Sequence, residues 1–187
     1  MQTNRVSDRL QGNIIPKSAF RWANPNSKVM ARHRLDDIDR KILAELQAEG
    51  RMTNVELAGR VKITAPPCLR RVRVLEKAGY IKGYHAELDA GALGYEVTAY
   101  AFVGLSSQAE QDLKAFEQLI ASWPQVRNCH MLSGDIDFVL LCVARNMPEF
   151  QDFITRNLTS AKNVASVKTA LVIRISKNEC GVPLPEQ

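Results

Sequence analysis

Residues suited to metal, redox or nucleophilic chemistry are few in this chain. It holds three histidines and four cysteines in 187 residues, and the cysteines stand apart at positions 68, 129, 142 and 180. No CxxC pair occurs, and His130, although beside Cys129, has no third ligand or orienting acid at a useful spacing. No metal site, cofactor or disulfide framework is therefore expected, and no residue is nominated as catalytic. Reduced thiols fit a cytoplasmic chain. No stretch approaches the roughly 20 apolar residues of a membrane helix, and no signal-peptide pattern is present, so no membrane partner is expected.

Charge is present but uneven. Residues 1–34 carry seven basic residues and one acid, lack apolar periodicity and mix polar, proline and basic residues, as a flexible arm does. An alternative is that the true start lies downstream of the assigned one, since Met30 stands five residues before Leu35, where the ordered pattern begins. A second concentration lies between Arg60 and Lys82, with seven basic residues against the single acid Glu76. That local cluster, more than the overall charge of +5, points to a polyanionic partner.

The cluster sits on a recognisable pattern. Leu35, Ile38, Ile42, Leu43 and Leu46 form the apolar stripe of a first helix that stops at Gly50. Thr53 and Glu56 make a capping box that opens a second helix at Asn54, whose apolar face is Val55, Leu57, Ala58 and Val61. After Lys62 and Ile63, Thr64 offers another N-cap. Pro66 and Pro67 fall in the first turn of the third helix, where a missing N–H breaks no intrahelical bond, and Gly79 suits a left-handed C-terminal cap. Along that helix Leu69, Val72 and Leu75 are expected to face inward, with Arg70, Arg71, Arg73 and Lys77 on a basic face. Two consecutive capped helices, the second loaded with arginine, read as a helix-turn-helix. The segment YIKGYHAEL that follows alternates around Gly83 and is expected to form a short two-stranded wing.

The second half reads as a separate domain. Val97, Ala99, Ala101, Val103 and Leu105 alternate along a strand; Leu113, Phe116, Ile120 and Trp123 mark a helix stopped by Pro124. Residues 126–132 and 137–144 are apolar runs separated by Ser133, Gly134 and Asp135, a hairpin signal. Asn146 and Glu149 cap a helix bearing Phe150, Phe153, Ile154 and Leu158, and Val167, Thr169, Leu171, Ile173 and Ile175 alternate along a last strand. The order is βαββαβ, a ferredoxin-like sandwich. The expected fold is therefore α+β, with residues 1–34 an arm, 35–89 a winged helix-turn-helix, 90–94 a linker, 95–177 the ferredoxin-like domain and 178–187 a tail. A sheet with helices on one side leaves its other face for a partner copy, so a homodimer is expected.

The segments LDDIDRKILAELQAEGRMTNVELAGRV, PPCLRRVRVLEKAGYIKGY and SGDIDF together resemble the Lrp/AsnC, or feast/famine, bacterial transcription regulators over residues 35–177. The resemblance implies DNA binding through residues 54–73, with helix 65–78 in the major groove. Asn54, Thr64, Ala65, Pro66, Pro67, Arg70, Arg71, Arg73 and Lys77 are the candidate DNA-binding residues, arginine being suited to guanine edges and phosphates alike. Cys68 is read as a small core or helix-start residue. The resemblance also implies pairing through the second domain, assembly beyond the dimer, and two reading helices about 34 Å apart on double-stranded operator DNA.

It further implies that an amino acid or similar small effector binds near Ser133, Gly134, Asp135 and Asp137. Glycine permits close backbone approach and its N–H suits a carboxylate; Asp135 or Asp137 suits the ammonium group. Met131, Leu132 and Thr169 are candidate pocket walls. Two other functions fit the same architecture. A tetrapyrrole (siroheme-type) decarboxylase would use His85 and His130, has no need of groove-facing arginines, and would show a Soret band. An architectural DNA-binding protein would bind with weak sequence preference and without an effector.

Overall fold

The computed structural model describes residues 33–184, so almost all of the expected basic arm lies outside the described residues. The chain divides into two compact units, the first made of the residues up to Tyr84 together with those from Pro183 onward, and the second of His85–Val182.

The first unit is built from three helices: α1 (Asp37–Ala48), α2 (Asn54–Arg60) and α3 (Ala65–Lys77). Their apolar stripes meet in one core of Ile42, Leu57, Ala58, Val61, Cys68 and Leu75, with Leu35, Ile38, Leu46 and Val72 at its margin. Two expected core residues are on the surface instead. Val55 lies in the first turn of α2 and is exposed, and Leu69 is 39% exposed. The inward line of α3 runs through Cys68, Val72 and Leu75, and a helix turns about 100° per residue, which carries Leu69 off that line. Gly79 takes φ +76°, letting the Tyr80 N–H donate to Leu75 O at 3.0 Å and the Gly79 N–H to Glu76 O at 3.0 Å. This satisfies the last carbonyls of α3 as a glycine cap should.

Residues 81–89 run on without a β-ladder among the described residues, where a two-stranded wing was expected. The aromatic side chains of that alternation are used elsewhere. Tyr80 Oη donates to His33 O at 2.7 Å, and Tyr84 Oη donates to Glu76 Oε1 at 3.1 Å while its ring lies against Gly50. Burial, helped by Glu76, pushes the Tyr84 phenol up to about 12.

The second unit has β1 (Val97–Leu105), α4 (Glu110–Ile120), β2 (Val126–Met131), β3 (Phe138–Ala144), α5 (Met147–Phe153) running into a π-helical turn (Ile154–Leu158), and β4 (Val164–Leu171). The strands form one antiparallel sheet in the order β2-β3-β1-β4. Ala99, Ala101 and Val103 stand opposite Cys142, Leu140 and Phe138 in the ladder, which puts all six on one face. That face is covered by Phe116, Ile120, Trp123, Phe150, Phe153 and Leu158 from the helical layer. The opposite face carries Tyr100, Phe102, Val139, Leu141 and Val143, all at least partly exposed and without a covering helix among the described residues.

β4 is shorter than expected. Its ladder stops at Leu171, after one further bond from the Val172 N–H to Thr98 O, leaving Ile173 97% exposed and Ile175 outside the strand. In this register Val97, the first residue of the neighbouring strand β1, falls opposite Ile173, so beyond residue 173 no backbone remains in that strand to pair with.

All four cysteines are free. Cys68 and Cys142 are buried and Cys129 half-buried; burial raises the Cys68 thiol, pushes Cys129 up to about 11 and Cys142 up to about 12. Neutral thiols are poor nucleophiles. Titrating the native chain with a maleimide at neutral pH is therefore expected to modify exposed Cys180 quickly and the other three only after denaturation. Fast modification of a second thiol would contradict this packing.

Candidate DNA interface and effector loop

The helix pair of the first unit is held in register by its ends. Thr53 Oγ1 accepts from the Glu56 N–H at 3.2 Å, and Glu56 Oε2 accepts from the Thr53 N–H at 2.7 Å. That backbone donor is the main reason the Glu56 carboxyl sits below its ordinary range. The turn to α3 passes through Lys62 at φ +59°, where the Ile63 N–H donates to Ala58 O at 3.0 Å. Asn54 Nδ2 donates to Ala65 O at 2.8 Å, tying the start of α2 to the start of α3. Asn54 thus has a bracing role within the motif. Thr64 occupies the N-cap of α3, yet its hydroxyl makes no capping bond. The reason lies in the sequence: a capping side chain accepts from the second or third helical N–H, and those positions are Pro66 and Pro67, which have none.

The basic residues of α3 separate into two groups. Arg71 turns toward α1, where its Nη1 donates to Asp36 Oδ2 at 2.7 Å and to Asp39 Oδ1 at 2.8 Å. Asp39 is 1% exposed and accepts a further bond from His33 Nε2 at 2.8 Å. These carboxylates raise the Arg71 pKa above an already high value, the Asp39 hydrogen bond contributing most. The Asp39 N–H, with Arg71 adding, holds the Asp36 carboxyl below its ordinary range. Arg71 therefore departs from the expected groove contact: its Nη1 is engaged by two carboxylates inside the unit. Arg70, Arg73 and Lys77 are exposed and make no hydrogen bond or ion pair among the described residues. With Pro66, Leu69 and Val74 they line one shallow groove along the outer face of α3. Ala65 and Pro67 are half-buried at the helix start.

Residues missed in the sequence are Asp36 and Asp39. Asp36 Oδ1 accepts from the Asp39 N–H at 2.8 Å and the Asp36 N–H donates to Asp39 Oδ2 at 3.3 Å, a capping box made of two aspartates. The three-residue spacing of LDDID was the available signal.

In the second unit the β2–β3 connection presents Ser133, Gly134 and Asp135 to solvent, with Gly134 at φ +139°. Asp137 is engaged differently. Its Oδ2 accepts from the Leu105 N–H at 2.6 Å, its N–H donates to Val103 O at 3.1 Å, and its carbonyl accepts from the Leu132 N–H at 2.8 Å. Asp137 pins the loop to the end of β1, beside the register shift between Gly104 and Leu105. Met131 and Leu132 are exposed beside the loop, and Thr169 is exposed on β4 opposite Ala101.

Residues 98–182 match the Lrp/AsnC ligand binding domain and residues 35–82 match winged helix-turn-helix DNA-binding. The chain belongs to the Lrp/AsnC family. It is 55% identical to the leucine-responsive regulatory protein of Rhizobium meliloti over 83% of this chain and 100% of that one. It is 39% identical to the Bkd operon transcriptional regulator of Pseudomonas aeruginosa, over 75% and 92% of the two chains. A transcriptional regulator of Neisseria meningitidis, solved as a complex with L-Met, superposes with a TM-score of 0.77 at 34% identity, covering 81% of this chain and 97% of that one.

As a family member the chain is a winged helix-turn-helix joined to a ferredoxin-like ligand-binding domain, and a DNA-binding protein of transcription regulation. Its relatives carry the names of regulators, which favours regulation over the decarboxylase reading of His85 and His130. No helix among the described residues is long and apolar enough to cross a membrane, and none of their His, Cys, Asp and Glu side chains group to hold a metal ion.

Proposed function

We propose that this chain is an amino-acid-responsive transcription regulator that grips operator DNA through Arg70, Arg73 and Lys77 of α3. The observation that supports this most is the division of the basic helix, in which one arginine is engaged by internal ion pairs while three cations on one exposed face have no ion pair among the described residues. Arg71 and Asn54 brace that face from within; Thr64, Ala65, Pro66 and Pro67 form the helix start, where backbone approaches phosphate. The reading unit works as a homodimer, or a larger assembly of dimers, that buries the open sheet face around Tyr100, Phe102 and Leu141.

The effector is an amino acid held at the 133–137 loop. Asp135 receives the ammonium, the Gly134 backbone the carboxylate, and Asp137 fixes the loop in place. The Neisseria relative's complex with L-Met and the leucine-responsive relatives support an α-amino acid as the ligand class. Binding shifts the population of dimer arrangements and so the spacing of the reading helices.

The test is DNA binding across a panel of amino acids. One of them is expected to shift the wild-type affinity, and Asp135→Ala is expected to raise the concentration needed about 10- to 100-fold, the worth of a charge-assisted hydrogen bond, while leaving affinity without effector unchanged. An Asp135→Ala chain that responds at the wild-type concentration would remove the loop from the site.

A further inference from the structure

The outer face of α3 carries more than charge. Between its three free cations lie Pro66, Leu69 and Val74, and the last two are 39% and 38% exposed in the same shallow groove. Phosphate binding explains the cations but gives no use for a branched aliphatic side chain set among them, held out of a core where Cys68, Val72 and Leu75 already fill the inward line. The major-groove edge of DNA has one apolar feature, the C5-methyl group of thymine. Leu69 stands in the second turn of α3, one turn beyond Pro66 and next to Arg70, in the N-terminal part of the helix that reaches base edges in a docked helix-turn-helix. Val74 lies about 7.5 Å further along the axis, beside Lys77.

We infer that Leu69 is a specificity-determining residue that reads a thymine methyl group in each half-site, with Pro66 closing the apolar strip. This rests on the proposal that α3 enters the major groove. Arg70 and Arg73 flank the strip and hold the helix at the depth where the methyl and the leucine meet. The T·A pair is thereby distinguished from C·G, which presents an amino group in place of the carbonyl and lacks the methyl.

The probe is a duplex that the full-length chain itself enriches from a random pool, resynthesised with each thymine replaced in turn by deoxyuridine, a change that removes only the methyl. For the wild type, one such replacement per half-site is expected to weaken binding about fourfold, the worth of one buried methyl, with the salt dependence unchanged. Leu69→Ala is expected to bind the thymine and uracil duplexes equally, whereas Val74→Ala keeps the discrimination. The wild-type comparison stands without either variant. Tight, salt-dependent binding by the wild type that is indifferent to every uracil replacement would overturn the inference and leave the DNA-binding reading standing, as would a Leu69→Ala chain that still discriminates. Failure to enrich any duplex would overturn both.

Discussion

Arg71→Met is expected to lower the stability of the helix-turn-helix unit by about 2–4 kcal/mol. Removing one partner of a buried ion pair costs about 3–5 kcal/mol because the other charge stays behind without compensation; the lower range applies here because the Arg71 side chain keeps 30% of its exposure. The charge left behind is Asp39, 1% exposed, with only His33 and the Asp36 N–H to answer it. Thermal unfolding of the full chain would show the first transition about 10 °C or more lower. Asp39→Leu combined with Arg71→Met is expected to recover part of the loss, since replacing a whole buried pair by apolar groups is close to neutral. The Asp39 N–H of the capping box and, after it, the Arg71 ion pair also leave an acid signature. The Asp36 pKa is lowered on folding, so its contribution is present above the ordinary carboxylate range and is lost as pH falls through the lowered folded value. Arg71→Met should lose less stability than the wild type over that acid window. A variant of unchanged stability but poor DNA affinity would return Arg71 to the groove.

Arg71 also shows where sequence reading stops. Helix starts and stops were legible because caps are local chemistry: Thr53 with Glu56, Asn146 with Glu149 and Gly79 all sit where backbone donors or acceptors run out. The period-two strands β1 and β3 were legible because both bury one face under helices. Arginines 70, 71 and 73 are chemically identical in the sequence, and only the position of α1 decides that the second turns inward. Leu69 was misplaced for a related reason, since spacing by threes fits 69-72-75 nearly as well as the observed line through 68, 72 and 75, and cysteine is an easy core residue to overlook. The wing and the end of β4 differ from expectation because a strand needs a neighbour; residues 81–89 and 173–175 have the pattern without a ladder among the described residues. In the effector loop the sequence offers both aspartates to an ammonium group, with a structural role as the other reading of Asp137, and the bond from the Leu105 N–H gives Asp137 that structural role.

Arg70→Ala combined with Arg73→Ala is expected to weaken operator binding about 100-fold at moderate salt, taking about 1.4 kcal/mol for each lost arginine contact, with no change in thermal unfolding because neither side chain is paired within the unit. The salt series decides what each arginine touches. A contact to phosphate releases a counterion, so its loss lowers the slope of log affinity against log salt by about 0.9. A bidentate contact to guanine lowers affinity only where that guanine is present and leaves the slope on unrelated DNA unchanged. The single variants therefore sort Arg70 and Arg73 independently of one another. Full affinity in the double variant would show that the exposed face of α3 is not the reading surface, and would leave its unpaired cations without a partner.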